Sequence, residues 1–137
     1  MGSGIAQVAA AAGHRVVLGD MNPDVVGKAR ASIAKALARE VEKGRLDAAG
    51  VTDIMARVVE AGDLSRDYSS FADCGVVIEA VLEDLAVKRR VFAALEAVVR
   101  DDCVLATNTS SLSVTAIGGG CRRAERVSAF ISSTLRR

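Results

Sequence analysis

The sequence is poor in aromatic residues, with three Phe, one Tyr and no Trp, so it offers no row of flat side chains on which nucleic-acid bases could stack. It also lacks an excess of charge of either sign. Its 18 Lys and Arg nearly cancel 17 Asp and Glu, so no broad field draws the chain to nucleic acid or to an anionic membrane. No apolar run is long enough to cross a bilayer. The start has no charged segment leading into a cleavage site, so neither a signal peptide nor a transit peptide is read. Cysteine is sparse, and Cys74, Cys103 and Cys121 show no C-x-x-C spacing. That pattern fits reduced thiols used as small apolar fillers in a cytoplasmic compartment, and no metal site is read. The one histidine, His14, falls in a turn before a strand and reads as exposed and incidental.

What is present is the balance of a globular domain. Half of the 137 residues are hydrophobic and 26% are charged, enough for one domain with a real core. Small residues from Gly2 to Gly13 suit a helix packed closely on a sheet, ended by Gly13. Val16 to Leu18 reads as a short buried strand closing at Asp20. Asn22-Pro23 is a helix start, and Val26, Ala29, Ile33, Leu37 and Val41 recur on one helical face until Gly44 stops it. A second helix follows from Asp47 to about Val58. The stretch Val58 to Ala61 reads either as a short strand or as more helix.

Gly75 to Val81 is continuous, apolar and largely β-branched, which predicts a central strand covered on both faces. Asp84 opens another helix, with Leu85, Val91 or Phe92, Leu95 and Val98 or Val99 inward. Cys103 to Ala106 predicts the next strand, followed by the polar turn Asn108-Thr109-Ser110-Ser111. A short helix from about Ser113 to Ile117 and a last strand from Val127 to Ile131 complete the order. Alternation of this kind predicts an α/β fold, a doubly wound parallel sheet with helices on both faces.

In such a sheet ligands bind at the carboxyl ends of the strands, and three of these ends carry polar residues. Asp20 lies 18 positions after Gly2, near the spacing of an acid that accepts hydrogen bonds from the adenosine ribose of a dinucleotide. A carboxylate there repels a 2′-phosphate and favours NAD over NADP. Taken alone, Asp20 reads equally as an ordinary polar strand end. Glu79 is costly to bury in an apolar strand unless it faces a cleft or a partner. Glu83 reads either as a ligand contact or as a carboxylate near a helix N-terminus, and Lys88 either as a ligand contact or as a solvated helix residue. The Asn108 to Ser111 turn suits a ligand-facing loop and equally suits turn and cap chemistry.

Together, MGSGIAQVAAAAGHRVVLGD, VVIEAVLEDLAVK, LATNTSSLSVTAI and AERV resemble, in order and spacing, the NAD-binding domain of 3-hydroxyacyl-CoA dehydrogenases, including bacterial 3-hydroxybutyryl-CoA dehydrogenases. The resemblance covers residues 1 to about 127. It implies a Rossmann-type sheet, NAD as cofactor, and oxidation of L-3-hydroxyacyl-CoA to 3-oxoacyl-CoA in fatty-acid or hydroxybutyryl-CoA metabolism. It further implies that Met1 and Gly2 end the dinucleotide loop and that Asp20 holds the adenosine ribose. Glu79, Val81, Glu83 and Lys88 would line the nicotinamide side. Ser110 would sit near the nicotinamide and the substrate hydroxyl, with Asn108 supporting it. The implied partner is an acyl-CoA substrate, and the family homodimer is expected only with the helical C-terminal domain.

The chain departs from the family at both ends. The family's first strand and the first two glycines of its G-x-G-x-M-G loop have no counterpart before Met1, so pyrophosphate binding is expected to be poor. The missing strand is central in a 3-2-1-4-5-6 sheet. Its apolar side chains would each contribute roughly 1.5–3 kcal/mol against the ~5–15 kcal/mol that holds a whole domain together. The isolated chain is therefore expected to be unstable or to aggregate through open edges. Residues 1–127 read as an incomplete NAD-binding domain and residues 128–137 as a frameshifted tail, with Ile131 where the family has its catalytic His. Without that base, the chain alone is expected to be inactive. The alternative is a non-catalytic dinucleotide- or partner-binding remnant.

The tail generates a test. Codons exist for Ser128 to Arg137 whose neighbouring frame reads Gly-Leu-His-Phe-Phe-Asn-Pro-Ala-Pro, the family's catalytic segment. One base lost just after the Val127 codon gives both readings and keeps the spacing to the His. Resequencing the genomic DNA there is expected to show the catalytic segment in the restored or neighbouring frame. DNA with no such segment in any frame contradicts the frameshift.

Overall fold

In the computed structural model the described residues are 2–81, 83–108 and 112–129. Met1, Ser110 and Ile131 lie outside them. The chain divides into two compact units, Met1–Ser70 and Phe71–Arg137.

The first unit runs α1 (Gly2–Ala11), β1 (Val16–Leu18), α2 (Pro23–Glu42), α3 (Ala48–Arg57) and β2 (Val58–Glu60). Gly13, at φ 100°, and Gly44, at φ 72°, take the left-handed conformation that ends α1 and follows α2. The Asn22 side chain accepts from the Asp24 amide, and Pro23 occupies the first turn of α2. Asp47 caps α3 by accepting from the Gly50 amide at 2.7 Å. β1 and β2 pair in parallel, Val16 opposite Val58 and Leu18 opposite Glu60, which settles Val58–Glu60 as strand.

The core of this unit joins Ala6 and Ala10 of α1, Ile33 and Leu37 of α2, Ile54 of α3 and Val58 of β2. Val41, expected on the same face, is 37% exposed, because the last turn of α2 runs beyond this cluster. Two arginines close helix ends. Arg57 donates to the Ala10 carbonyl at 3.0 Å, and Arg30 donates to the Val58 and Met55 carbonyls. These bonds add to the backbone donors that two of the carbonyls already have, the Gly13 amide on Ala10 and the Val58 amide on Met55.

The second unit runs β3 (Val76–Glu79), α4 (Leu85–Val98), β4 (Val104–Thr107), α5 (Val114–Gly118) and β5 (Val127–Ala129), with short 3-10 turns at Ser69–Phe71, on the boundary between the units, and at Ala124–Arg126. Its sheet is parallel in the order β3-β4-β5. Asp84 caps α4 by accepting from the Val87 amide at 3.0 Å. Phe92 and Leu95 of α4, Leu105 of β4, Ile117 of α5 and Val127 of β5 are buried.

The parallel strands and their covering helices make the fold Rossmann-like, as the alternation predicts. Among the described residues the strands form two sheets, β1-β2 and β3-β4-β5. This corrects the reading of β3 as a central strand covered on both faces. Among the described residues β3 pairs only with β4, and Val76 is 57% exposed. β3 is also shorter than the apolar run suggests. It ends at Glu79, whose side chain turns back to accept from the Val81 amide at 2.8 Å and takes that amide out of the ladder.

Candidate functional site

Each unit brings polar residues to the carboxyl ends of its strands. In the first unit, Asp20 follows β1 and its Oδ1 accepts from the Asn22 amide at 2.9 Å, which fixes the turn into α2. Asp20, Pro23, Val26, Glu60, Ala61, Gly62 and Asp63 line a hollow of about 210 Å³. Pro23, Val26 and Ala61 give it apolar wall, and the three acids give it acceptors. The hydroxyl and amide of Ser65 hold Asp63 below the usual carboxylate range. Apolar wall beside fixed carboxylates suits a nucleoside, whose base wants apolar cover and whose ribose hydroxyls want acceptors. Sequence reasoning found Asp20 but missed Glu60, Gly62 and Asp63. Their signal was the acid-Ala-Gly-acid run at the end of an ambiguous strand.

In the second unit, the last register position of β3 and β4 sets Glu79 opposite Thr107. Thr107 donates to Glu79 Oε2 at 2.7 Å. Lys88, from the first turns of α4, donates to Glu79 Oε1 at 2.6 Å. Lys88 Nζ also lies 3.4 Å from the Val81 carbonyl and 3.8 Å from Glu83 Oε1. Lys88 and Thr107 are fully buried and Glu79 is 4% exposed. The Glu79 carboxylate therefore receives the Val81 amide from the loop after β3, the Lys88 ammonium from α4 and the Thr107 hydroxyl from β4. A buried ion pair persists only when its remaining polar capacity is met in this way.

Of the residues read from the sequence, this unit gathers Glu79, Val81, Glu83, Lys88 and Asn108. The Asn108 amide donates to the Glu79 carbonyl at 2.8 Å, extending the β3–β4 ladder into the turn. Glu83 is exposed and is the member nearest solvent. Lys88 is buried rather than solvated, because the Glu79 carboxylate draws its ammonium under the strand ends. Gly2 is the first residue of α1, in the other unit. Thr107 was missed, and its signal was a hydroxyl at the end of an apolar strand, in register with the one acid of the neighbouring strand.

Burial pushes the Cys103 and Cys121 thiols up, which keeps them protonated and fits the reading of small fillers. Among the described residues no group of His, Cys, Asp and Glu is arranged to hold a metal ion. No helix among them is long and apolar enough to cross a membrane.

Comparison with known proteins gives this geometry a context. Residues 1–131 match the family model described as 3-hydroxyacyl-CoA dehydrogenase, NAD binding domain. A 3-hydroxybutyryl-CoA dehydrogenase of Bradyrhizobium diazoefficiens is 40% identical over 126 residues, which is 92% of this chain and 42% of that protein. The crystal structure of 3-hydroxybutyryl-CoA dehydrogenase from Escherichia coli K12 superposes with a TM-score of 0.86 at 37% identity, over 94% of this chain and 26% of that one. The (S)-3-hydroxybutyryl-CoA dehydrogenase of Ralstonia eutropha gives a TM-score of 0.86 at 31% identity, over 94% and 44%. The chain thus spans less than half the length of these relatives.

The buried pair makes an energetic prediction. Lys88→Met leaves the Glu79 carboxylate without its counter-charge and is expected to cost about 3–5 kcal/mol of unfolding free energy. Replacing both, as Glu79→Leu with Lys88→Met, is expected to cost much less than the single change. Denaturant unfolding of the two variants checks this, and a double variant no more stable than Lys88→Met contradicts it.

Proposed function

The chain belongs to the 3-hydroxyacyl-CoA dehydrogenase family through its NAD-binding domain, and we propose that it forms the cofactor-holding part of an enzyme that oxidises an L-3-hydroxyacyl-CoA to the 3-oxoacyl-CoA. The observation that carries this reading is the acid-lined hollow at the carboxyl ends of β1 and β2. When bound, NAD supplies the acceptor for the hydride that leaves the hydroxyl-bearing carbon.

The chain's own residues bind and discriminate. Asp20 accepts hydrogen bonds from the adenosine ribose hydroxyls, and its charge disfavours the 2′-phosphate of NADP. Pro23, Val26 and Ala61 cover the base. Met1 and Gly2 approach the pyrophosphate. Glu79, Val81, Glu83 and Lys88 belong to the nicotinamide side, where Ser110 meets the substrate hydroxyl and Asn108 holds the loop. The hydroxyl proton needs a base. Ile131 stands where the family has its His, so on this reading the polypeptide binds cofactor without turning substrate over. The reading places the chain in the cytoplasm, with an acyl-CoA as partner of the intact enzyme and pairing left to a helical domain.

Titration of the chain with NADH and NADPH, followed by reduced-nicotinamide fluorescence, tests this. NADH is expected to bind more tightly than NADPH, and Asp20→Ala is expected to weaken NADH by about tenfold, the loss of one charge-assisted hydrogen-bond pair. Equal binding of both dinucleotides by wild type, or no change in Asp20→Ala, contradicts the reading.

A further inference from the structure

A cation in the first turns of a helix sits at the unfavourable end of the helix dipole, and Lys88 does so while fully buried. A buried ion pair is weak evidence for stability, since apolar residues of similar volume hold a core as well or better. What this pair does have is a geometric result. Glu79 Oε1 accepts from the Val81 amide at 2.8 Å, and Lys88 Nζ lies 3.4 Å from the Val81 carbonyl. Both backbone polar groups of Val81 are thereby held by one ion pair. Thr107 completes the arrangement from the neighbouring strand by donating to the other Glu79 oxygen at 2.7 Å.

We infer that Glu79 and Thr107 are positioning residues: through Lys88 and Val81 they fix the turn that leaves β3, and with it the contact to the nicotinamide-bearing half of the dinucleotide. The inference rests on the proposed function and deepens it. It gives Glu79 a different role from a ligand contact. Its oxygens already receive three donors and it is 4% exposed, so it acts on the ligand only through its neighbours. It also assigns a role to Thr107, whose hydroxyl holds the carboxylate in the orientation that faces both Val81 and Lys88.

The test separates the two halves of the cofactor. Binding of NADH and of ADP, which lacks the nicotinamide, is measured for the full chain as wild type, Thr107→Val, Thr107→Ser and Glu79→Gln. Val removes the hydroxyl at nearly constant volume, and Ser restores it. Thr107→Val is expected to weaken NADH by about fivefold, the scale of one hydrogen bond, with ADP binding unchanged and NADH affinity regained in Thr107→Ser. Glu79→Gln is expected to show the same split and serves if Thr107→Val does not fold. Unaltered NADH binding in these variants overturns the inference. So does an equal loss for NADH and ADP, which marks a merely structural role, and so does failure of Thr107→Ser to rescue. A wild type that binds ADP as tightly as NADH overturns the inference alone. A wild type that binds neither overturns the functional reading and the inference with it.

Discussion

A carboxylate set inside an apolar parallel strand must be given donors or the strand cannot stay buried, and the second unit is arranged around meeting that demand at Glu79. Its three donors come from the residue two positions on, from the helix that follows and from the adjacent strand. Each donor fixes something else. The Val81 amide ends β3, the Lys88 ammonium ties α4 to the strand ends, and the Thr107 hydroxyl locks the β3–β4 register at its last position. The consequence is a rigid polar floor at the carboxyl end of the sheet, which is where an open α/β sheet presents its ligands.

The first unit solves a different problem with simpler means. Its core is built from small and branched side chains, with Ala6 and Ala10 letting α1 lie close to Ile33, Leu37, Ile54 and Val58. Arg30 and Arg57 then bond backbone carbonyls of Val58 and Ala10 around that core. What remains open is the end of β1 and β2, where Asp20, Glu60 and Asp63 meet apolar wall. Acceptors beside apolar wall are the chemistry that suits a nucleoside.

Much of this was legible in the residues, because local signals dominated. Asn22-Pro23, Asp47, Asp84 and Ser113 each named a helix start, and Gly13 and Gly44 named helix ends, since these positions need a particular side chain or a positive φ. Asp20 was singled out by its spacing to Gly2, and it lines the hollow at the end of β1. What was not legible depended on partners distant in sequence. Lys88 reads as a surface lysine until Glu79 is known to lie beneath it, and Thr107 acquires a role only through the register that sets it opposite Glu79. The exposure of Val76 followed from which strands pair rather than from the β-branched run that contains it. The resemblance to a dehydrogenase domain supplied the cofactor, but it did not reveal how Glu79 is held.

We propose that the strand carboxyl ends, polar where the rest of the core is apolar, hold the dinucleotide. Amide chemical-shift mapping of the chain during titration with NAD tests it most directly. The largest shifts are expected at Asp20, Gly62 and Asp63 in the first unit and at Val81 and Asn108 in the second. Shifts confined to helix surfaces away from these strand ends, or none at saturating NAD, would contradict it.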